Sequence, residues 1–268
     1  MSEITILLLY LLAAVAFTAS RLPRFEAYSN PSLIAAFAFA VAGLLIHGQF
    51  LNTEITPPSG LILSIESTLS LVGLQLALIG ILGAIEPSLR GMTAGLLALA
   101  ALATVPLGLQ PPVAETTQMT WQIQAHILTS IFSYGLLAVG FIVGIYALIQ
   151  DSRLRSGNLS AANRLFAPLE TTEKLLFGVA AAGFVGLLLS VVSGFTFVED
   201  LFAQHLVHKT ALSLLALILF GIVVGGRFLA GWRGRRAVYL YLGGFAVLCL
   251  AYFGSRFILE EVLGRSWS

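Results

Sequence analysis

The amino-acid sequence predicts an all-α membrane protein, a polytopic bundle of about eight transmembrane helices. Of its 268 residues, 58% are hydrophobic and only 10% are charged, whereas soluble domains carry roughly 25% charged residues. Apolar stretches long enough to cross a bilayer recur along the whole length. We therefore expect a single transmembrane domain over residues 1–268, surrounded by the lipid bilayer. The net charge of +1 predicts no nucleic-acid partner.

Each helix is predicted from an apolar stretch of about 20 residues, the length that spans the hydrocarbon core. The eight stretches are 4–20, 33–50, 61–85, 91–109, 122–150, 174–197, 208–229 and 237–259. In chain order, the connections contain Arg21 and Arg24, Pro57 and Pro58, Arg90, Pro111 and Pro112, Arg153 and Arg155, Glu199 and Asp200, and Arg233, Arg235 and Arg236. The fifth stretch is the longest, and we expect it to extend past the bilayer on one side.

The basic residues near the connections predict which side faces the cytoplasm. Eleven fall on one side of the predicted bundle and three on the other, and the positive-inside rule makes the richer side cytoplasmic. The eleven are Arg21, Arg24, Arg90, Arg153, Arg155, Arg164, Lys174, Arg227, Arg233, Arg235 and Arg236; the three are Lys209, Arg256 and Arg265. Both termini then lie outside. Trp121 and Trp267 are expected at the outer interface and Trp232 at the inner one.

All four histidines fall on the predicted outer side. His47 lies near the outer end of the second helix, His126 in the first turns of the fifth, and His205 and His208 at the start of the seventh. Histidine is the commonest metal ligand and the usual axial ligand of haem iron. The set therefore indicates a haem site or another metal site on the outer face, or simply polar residues at the interface.

A stripe of small and hydroxyl residues follows His126 along one face of the fifth helix. Its members recur at three- and four-residue steps: Ser130, Ser133, Leu137, Gly140 and Gly144. Such stripes allow close helix packing in lipid. Two interpretations remain open: His126 is the polar end of a packing face, or it is a ligand presented at the end of that face.

His205 and His208 are three residues apart, so on a helix their side chains would share one face, about 5–6 Å apart. One face cannot supply both axial ligands of a haem, because these approach the iron from opposite sides of the ring. A bis-histidine haem would pair His126 with His205 or His208. We assign the metal ligands to His126 and His208, with His205 as the alternative to His208. His47 would be a reserve ligand or a hydrogen-bond donor.

The two propionates of a haem would also need cations. Lys209 and Arg256 lie at outer helix ends beside the expected site. They are candidate propionate partners, since a partly desolvated carboxylate requires a charge-assisted hydrogen bond; alternatively, they extend to the interface without binding a ligand. The only cysteine, Cys249, lies in an apolar run. A single cysteine excludes an internal disulfide, a CxxC redox pair and haem attachment through CxxCH.

Three motifs occur in order along the second half of the chain. They are His126-x-x-x-Ser130-x-x-Ser133-Tyr134, Gly231-Trp232-Arg233-Gly234-Arg235-Arg236-Ala237 and Tyr252-Phe253-Gly254-Ser255-Arg256. Together they resemble the cytochrome c assembly (CcsA/CcmC/HemX-like) membrane family, in particular its short YpjD-type inner-membrane branch, over a core of about residues 60–265. The resemblance implies that His126 is an external haem ligand on the periplasmic face of a bacterial inner membrane.

The chain also departs from larger members of that family. The region from Phe195 to Lys209 contains no tryptophan, and no histidine follows His208. We therefore expect a haem-binding accessory of c-type cytochrome biogenesis rather than a complete haem-ligation system. It would be a carrier or chaperone, not an enzyme, and would hold haem stably or in passing. Its partners would be haem and other cytochrome c maturation proteins or an apocytochrome.

Two other functions remain open. The set Glu199, Asp200, His205 and His208 offers nitrogen and oxygen ligands suited to a transition metal, as in an accessory subunit of divalent-metal transport or efflux. An independent transporter should carry ionisable residues at the membrane midplane, and few are evident. The third possibility is a cofactor-free membrane interaction protein, with the histidines at the interface.

Overall fold

The computed structural model describes residues 2–56, 64–106, 120–157, 167–197 and 207–254, and all regular structure within them is helical. The predicted all-α fold is confirmed, with eight α-helices in these ranges. They are α1 (Ser2–Ala19), α2 (Ser29–Ile55), α3 (Ile65–Gly83), α4 (Arg90–Ala103), α5 (Trp121–Arg155), α6 (Leu169–Phe197), α7 (Val207–Ala230) and α8 (Arg235–Cys249). Helices are expected in lipid because they satisfy each backbone hydrogen bond within one segment.

Five helical segments in the described ranges are long and apolar enough to cross a membrane. They are Pro23–Ile55, Glu66–Gly83, Trp121–Arg155, Leu169–Phe197 and Val207–Ala230, and shorter apolar helices cover Glu3–Ala19 and Pro87–Ala103. With 35 residues, α5 is the longest. Its length of about 52 Å exceeds the roughly 30 Å of the hydrocarbon core, in agreement with the prediction. The protein is thus a multi-pass membrane protein.

The chain forms two compact units, and both α5 and α6 contribute to each of them. The first unit contains Met1–Gln118 and Tyr146–Lys174, and the second contains Met119–Ile145 and Leu175–Ser268. In the first unit, α1 packs against α2 and α4, and α3 packs against the same two helices. Its core includes the fully buried rings of Tyr10 and Phe17 from α1.

The second unit is built around the stripe of α5. Ser133 Oγ donates a 2.7 Å hydrogen bond to the Gly183 carbonyl oxygen of α6. Tyr241 of α8 is buried and donates from its hydroxyl to the Leu137 carbonyl oxygen, at 2.8 Å. The prediction that this stripe is a helix-packing face is confirmed, because residues along it contact two neighbouring helices.

Gly140 of the stripe lies beneath the phenol ring of Tyr241, where an added Cβ would overlap the ring. Gly140→Ala should therefore destabilise the protein by about 1–3 kcal/mol, the usual cost of overpacking, although alanine is the better helix former. The matched control is Gly178→Ala on α6, where a Cβ meets nothing within 4 Å. Apparent melting temperatures in detergent should fall for the first variant only; equal values would contradict this packing.

Candidate functional site

His126 lies in the second turn of α5, half-buried, and faces α6 of the same unit. Its Nδ1 lies 2.9 Å from Ser193 Oγ. The Ser193 hydroxyl has one proton, which it donates to the Ser190 carbonyl oxygen at 2.9 Å. Both bonds form together only if the imidazole N–H donates to Ser193, because a carbonyl oxygen can only accept.

The Ser193 contact therefore selects one tautomer of the neutral ring. With the proton on Nδ1, Nε2 carries a lone pair. A histidine whose Nδ1–H is held by a fixed acceptor is oriented for ligation through Nε2. His126 thus has the form that a metal ligand requires.

A second pair of hydroxyl groups secures the helices beside this histidine. Ser130 Oγ donates to the His126 carbonyl oxygen at 2.6 Å, so it accepts the 2.6 Å hydrogen bond from Ser190 Oγ. The imidazole also lies against the backbone of Gly194, where a Cβ would approach Cε1 to 3.2 Å. We call the contacts His126–Ser193, Ser130–Ser190 and Ser133–Gly183 the α5–α6 seam.

A cation and several aromatic rings lie in the same unit. Lys209 of α7 is within electrostatic range of His126, and its Nζ lies 5.6 Å from the centre of the Tyr252 ring. Tyr252 packs against Tyr134 of α5 with ring centres 6.2 Å apart. The Tyr134 hydroxyl lies 2.9 Å from Cys249 Sγ. This group offers one positive charge beside apolar aromatic faces.

The other predicted site residues do not join His126 in the contacts given above. His208 is exposed and precedes Lys209 in the first turn of α7. His205 and Arg256 lie outside the described residues. His47 belongs to the first unit, whereas His126, His208 and Lys209 belong to the second.

His47 is fully buried, and both of its ring nitrogens are hydrogen-bonded. Nδ1 lies 3.1 Å from the Tyr10 hydroxyl, and Nε2 lies 2.7 Å from Ser70 Oγ. The three side chains link α1, α2 and α3. In this arrangement His47 has no nitrogen available for a ligand, and its contacts are those of a residue that connects helices.

The hydrogen-bond partners of both histidines were not predicted from the sequence. Ser190, Ser193 and Gly194 are small residues near the end of α6, and the stretch 175–189 before them is apolar. These residues could have been matched to the stripe of α5, but only with knowledge that the two helices pair. For Tyr10, a polar side chain within the apolar part of α1 was the available signal. Ser70 follows Glu66, Ser67 and Thr68 in the polar first turns of α3, so nothing in the sequence distinguished it.

The alternative metal site rests mostly on residues outside the described ranges. Glu199, Asp200 and His205, which it requires, all lie there. Among the described residues, no three His, Cys, Asp or Glu side chains are grouped so that they could hold a metal ion.

The fold and this site define a polytopic helical membrane protein that presents one oriented imidazole nitrogen near a helix end. The family model described as "Cytochrome C assembly protein" matches residues 3–263, and the chain belongs to this family. Membership in this family supports a role in c-type cytochrome biogenesis.

Curated relatives agree with this assignment. The inner membrane protein YpjD of Escherichia coli K12 is 29% identical over 232 residues, covering 85% of this chain and 87% of that protein. An uncharacterised 28.8 kDa protein of Azospirillum brasilense is 27% identical over 171 residues, 63% of each chain. The cytochrome c biogenesis protein CcsA of Guillardia theta is 21% identical over 173 residues, 58% of this chain and 57% of that protein. No solved structure matches.

The tautomer of His126 can be measured directly. In ¹⁵N-histidine NMR spectra above neutral pH, His126 should show a protonated Nδ1 and an unprotonated Nε2. Ser193→Ala removes the acceptor and should produce a mixture of tautomers. Thr196→Ala is the control, since among the described residues its hydroxyl donates to carbonyl oxygens of its own helix. A wild-type ring protonated on Nε2 would contradict the hydrogen-bond assignment.

Proposed function

We propose that the protein is a haem-binding accessory of c-type cytochrome biogenesis, a carrier or chaperone rather than an enzyme. The observation that carries this proposal is the contact of His126 Nδ1 with Ser193, whose own proton goes to the Ser190 carbonyl oxygen, so that the lone pair of the neutral ring lies on Nε2. A histidine at a packing face needs no free nitrogen, whereas a ligand does. Family membership supplies the link to cytochrome biogenesis.

The surroundings of His126 fit a haem, which combines an iron, an apolar ring and two carboxylates. Lys209 supplies a positive charge within electrostatic range of the imidazole and would pair with a propionate. Tyr252 and Tyr134 supply aromatic surface suited to a flat apolar molecule. We keep Arg256 as a second propionate partner.

The ligand opposite His126 would come from α7 or the segment before it. We propose His208, with His205 as the alternative, since two residues on one helix face cannot hold both sides of a haem. The exposure of His208 leaves its ring accessible. His47 remains a reserve ligand in this scheme, and it would have to give up Tyr10 or Ser70 to bind.

We place the protein in a bacterial inner membrane as a single transmembrane domain with both termini and His126 outside. The positive-inside distribution of basic residues supports that orientation. The name of the YpjD relative supports the inner membrane. The name of the CcsA relative supports cytochrome c biogenesis as the process in which the protein takes part. Within that process we propose that it delivers haem to other maturation proteins or to an apocytochrome.

Absorption spectra test this function. Protein purified in detergent from haem-replete cells should carry a Soret band, and His126→Ala should abolish it. Ser193→Ala should weaken haem affinity by about 10–100-fold, the usual effect of losing a partner that orients a ligating histidine. Thr196→Ala, one turn away on α6, should leave affinity unchanged. Folded protein without a Soret band would refute haem binding, and stoichiometric divalent metal instead would favour the metal-transport alternative.

The second axial ligand can be identified from the same preparations. If His208 is that ligand, His208→Ala should convert the low-spin bis-histidine spectrum into a high-spin one, whereas His205→Ala should not. The converse result would assign His205. A spectrum unchanged in both single variants and in the double variant would exclude this pair.

A further inference from the structure

The connection between α7 and α8 is an ordered turn rich in arginine, which we call the arginine turn (residues 226–236). The Trp232 N–H donates to the Gly226 carbonyl oxygen at 2.9 Å, and Arg227 Nη1 donates to the Trp232 carbonyl oxygen at 3.1 Å. Gly231 and Gly234 have φ angles of 65° and 73°, a left-handed conformation that glycine adopts without strain. The turn therefore has a defined shape.

Side-chain packing supports the same shape. The Trp232 ring lies on Gly226, where a Cβ would overlap it, and the Arg227 guanidinium lies 4.6 Å from the centre of the Phe177 ring of α6. Arg227 is thus engaged within the protein. Arg233 and Arg236, by contrast, are exposed. Neither makes an ion pair or a hydrogen bond to any described residue.

No negative charge balances these arginines within the described part of their unit. Residues 120–145, 175–197 and 207–254 contain neither Asp nor Glu, while the arginine turn alone carries four arginines, Arg227, Arg233, Arg235 and Arg236. Four like charges within ten residues repel one another unless an anion lies among them. Such an anion must come from outside these segments.

Apolar side chains beside the arginines indicate which kind of anion binds to the turn. Phe228 is 71% exposed, Leu229 is 91% exposed and Trp232 is 42% exposed. A soluble phosphate would use the positive charges alone and would make no contact with this apolar surface. A phospholipid presents a phosphate group and acyl chains together, so it matches both parts of the surface.

We propose that the arginine turn binds the phosphodiester headgroup of an anionic phospholipid. Arg233 and Arg236 contact the phosphate, for which the guanidinium fork is well suited, and Trp232, Phe228 and Leu229 lie beside the acyl chains. The predicted cytoplasmic position of the turn agrees, because that leaflet is rich in anionic lipid. Arg227 and Lys209 lie near opposite ends of α7, so this site is independent of haem binding.

Fluorescence of Trp232 tests the proposal in the full chain. A Trp121→Phe/Trp267→Phe background leaves Trp232 as the only tryptophan. In phosphatidylcholine vesicles, brominated phosphatidylglycerol should quench Trp232 more strongly than brominated phosphatidylcholine at equal mole fraction. The preference should fall about fivefold for each of Arg233→Gln and Arg236→Gln. Arg233→Lys/Arg236→Lys should retain an intermediate preference for phosphatidylglycerol. Lysine keeps the positive charge but lacks the forked guanidinium that binds a phosphate through two hydrogen bonds.

Two controls distinguish lipid binding at the arginine turn from a net-charge effect and from soluble-phosphate binding. Arg153→Gln/Arg155→Gln removes two charges from the end of α5, one more than either single variant of the turn, and should leave the preference intact. An equal loss there would mean that only net charge matters, and would overturn the proposal. Replacing chloride by inorganic phosphate at constant ionic strength should have no effect; loss of the preference would indicate a soluble-phosphate site instead. The proposal would also be refuted if the two brominated lipids quenched Trp232 equally in protein whose arginine turn is unsubstituted.

Discussion

The close approach of α5 and α6 is the interaction on which the second unit depends. Interhelical hydrogen bonds in membranes contribute only about 0.6 kcal/mol each on average, so no single bond of the α5–α6 seam holds the helices together. Several of these bonds form in succession because Gly186 of α6 has no side chain, which lets α5 approach closely. A Cβ at Gly186 would lie 2.9 Å from Ser133 Cβ. A larger side chain would separate the helices and remove all of these bonds, including the one that orients His126.

His47 and His126 show how one residue type acquires different chemistry from its neighbours. A fully buried imidazole must satisfy both nitrogens, since an unpaired buried polar group is costly, and Tyr10 and Ser70 do this for His47. His126 is only half-buried, so an Nε2 lone pair without a protein partner would cost less there. The first arrangement uses histidine to connect helices, while the second keeps a nitrogen accessible.

Charge is distributed unevenly along α7. Lys209 lies near its start and the arginine turn at its end, and the helix of 24 residues separates them by roughly 30 Å. This distance is several times the Debye length of about 8 Å, so an anion at one end has little effect on the other. Because the described segments of this unit lack acidic side chains, both ends are suited to ligands that bring their own negative charge.

The sequence alone was sufficient to predict the membrane class, the eight helices and the packing stripe of α5. Hydrophobic length and helical periodicity are local properties, so they require no knowledge of which helices become neighbours. It also singled out His126, but it could not say which nitrogen would be free. That depends on Ser193, which is 67 residues away in the chain. Likewise, the sequence left His47 as a reserve ligand or a hydrogen-bond donor, and it could not show that Tyr10 and Ser70, from two other helices, contact both of its nitrogens. Only tertiary structure decided these points, because the proton positions of an imidazole are set by hydrogen-bond partners that other helices bring to it.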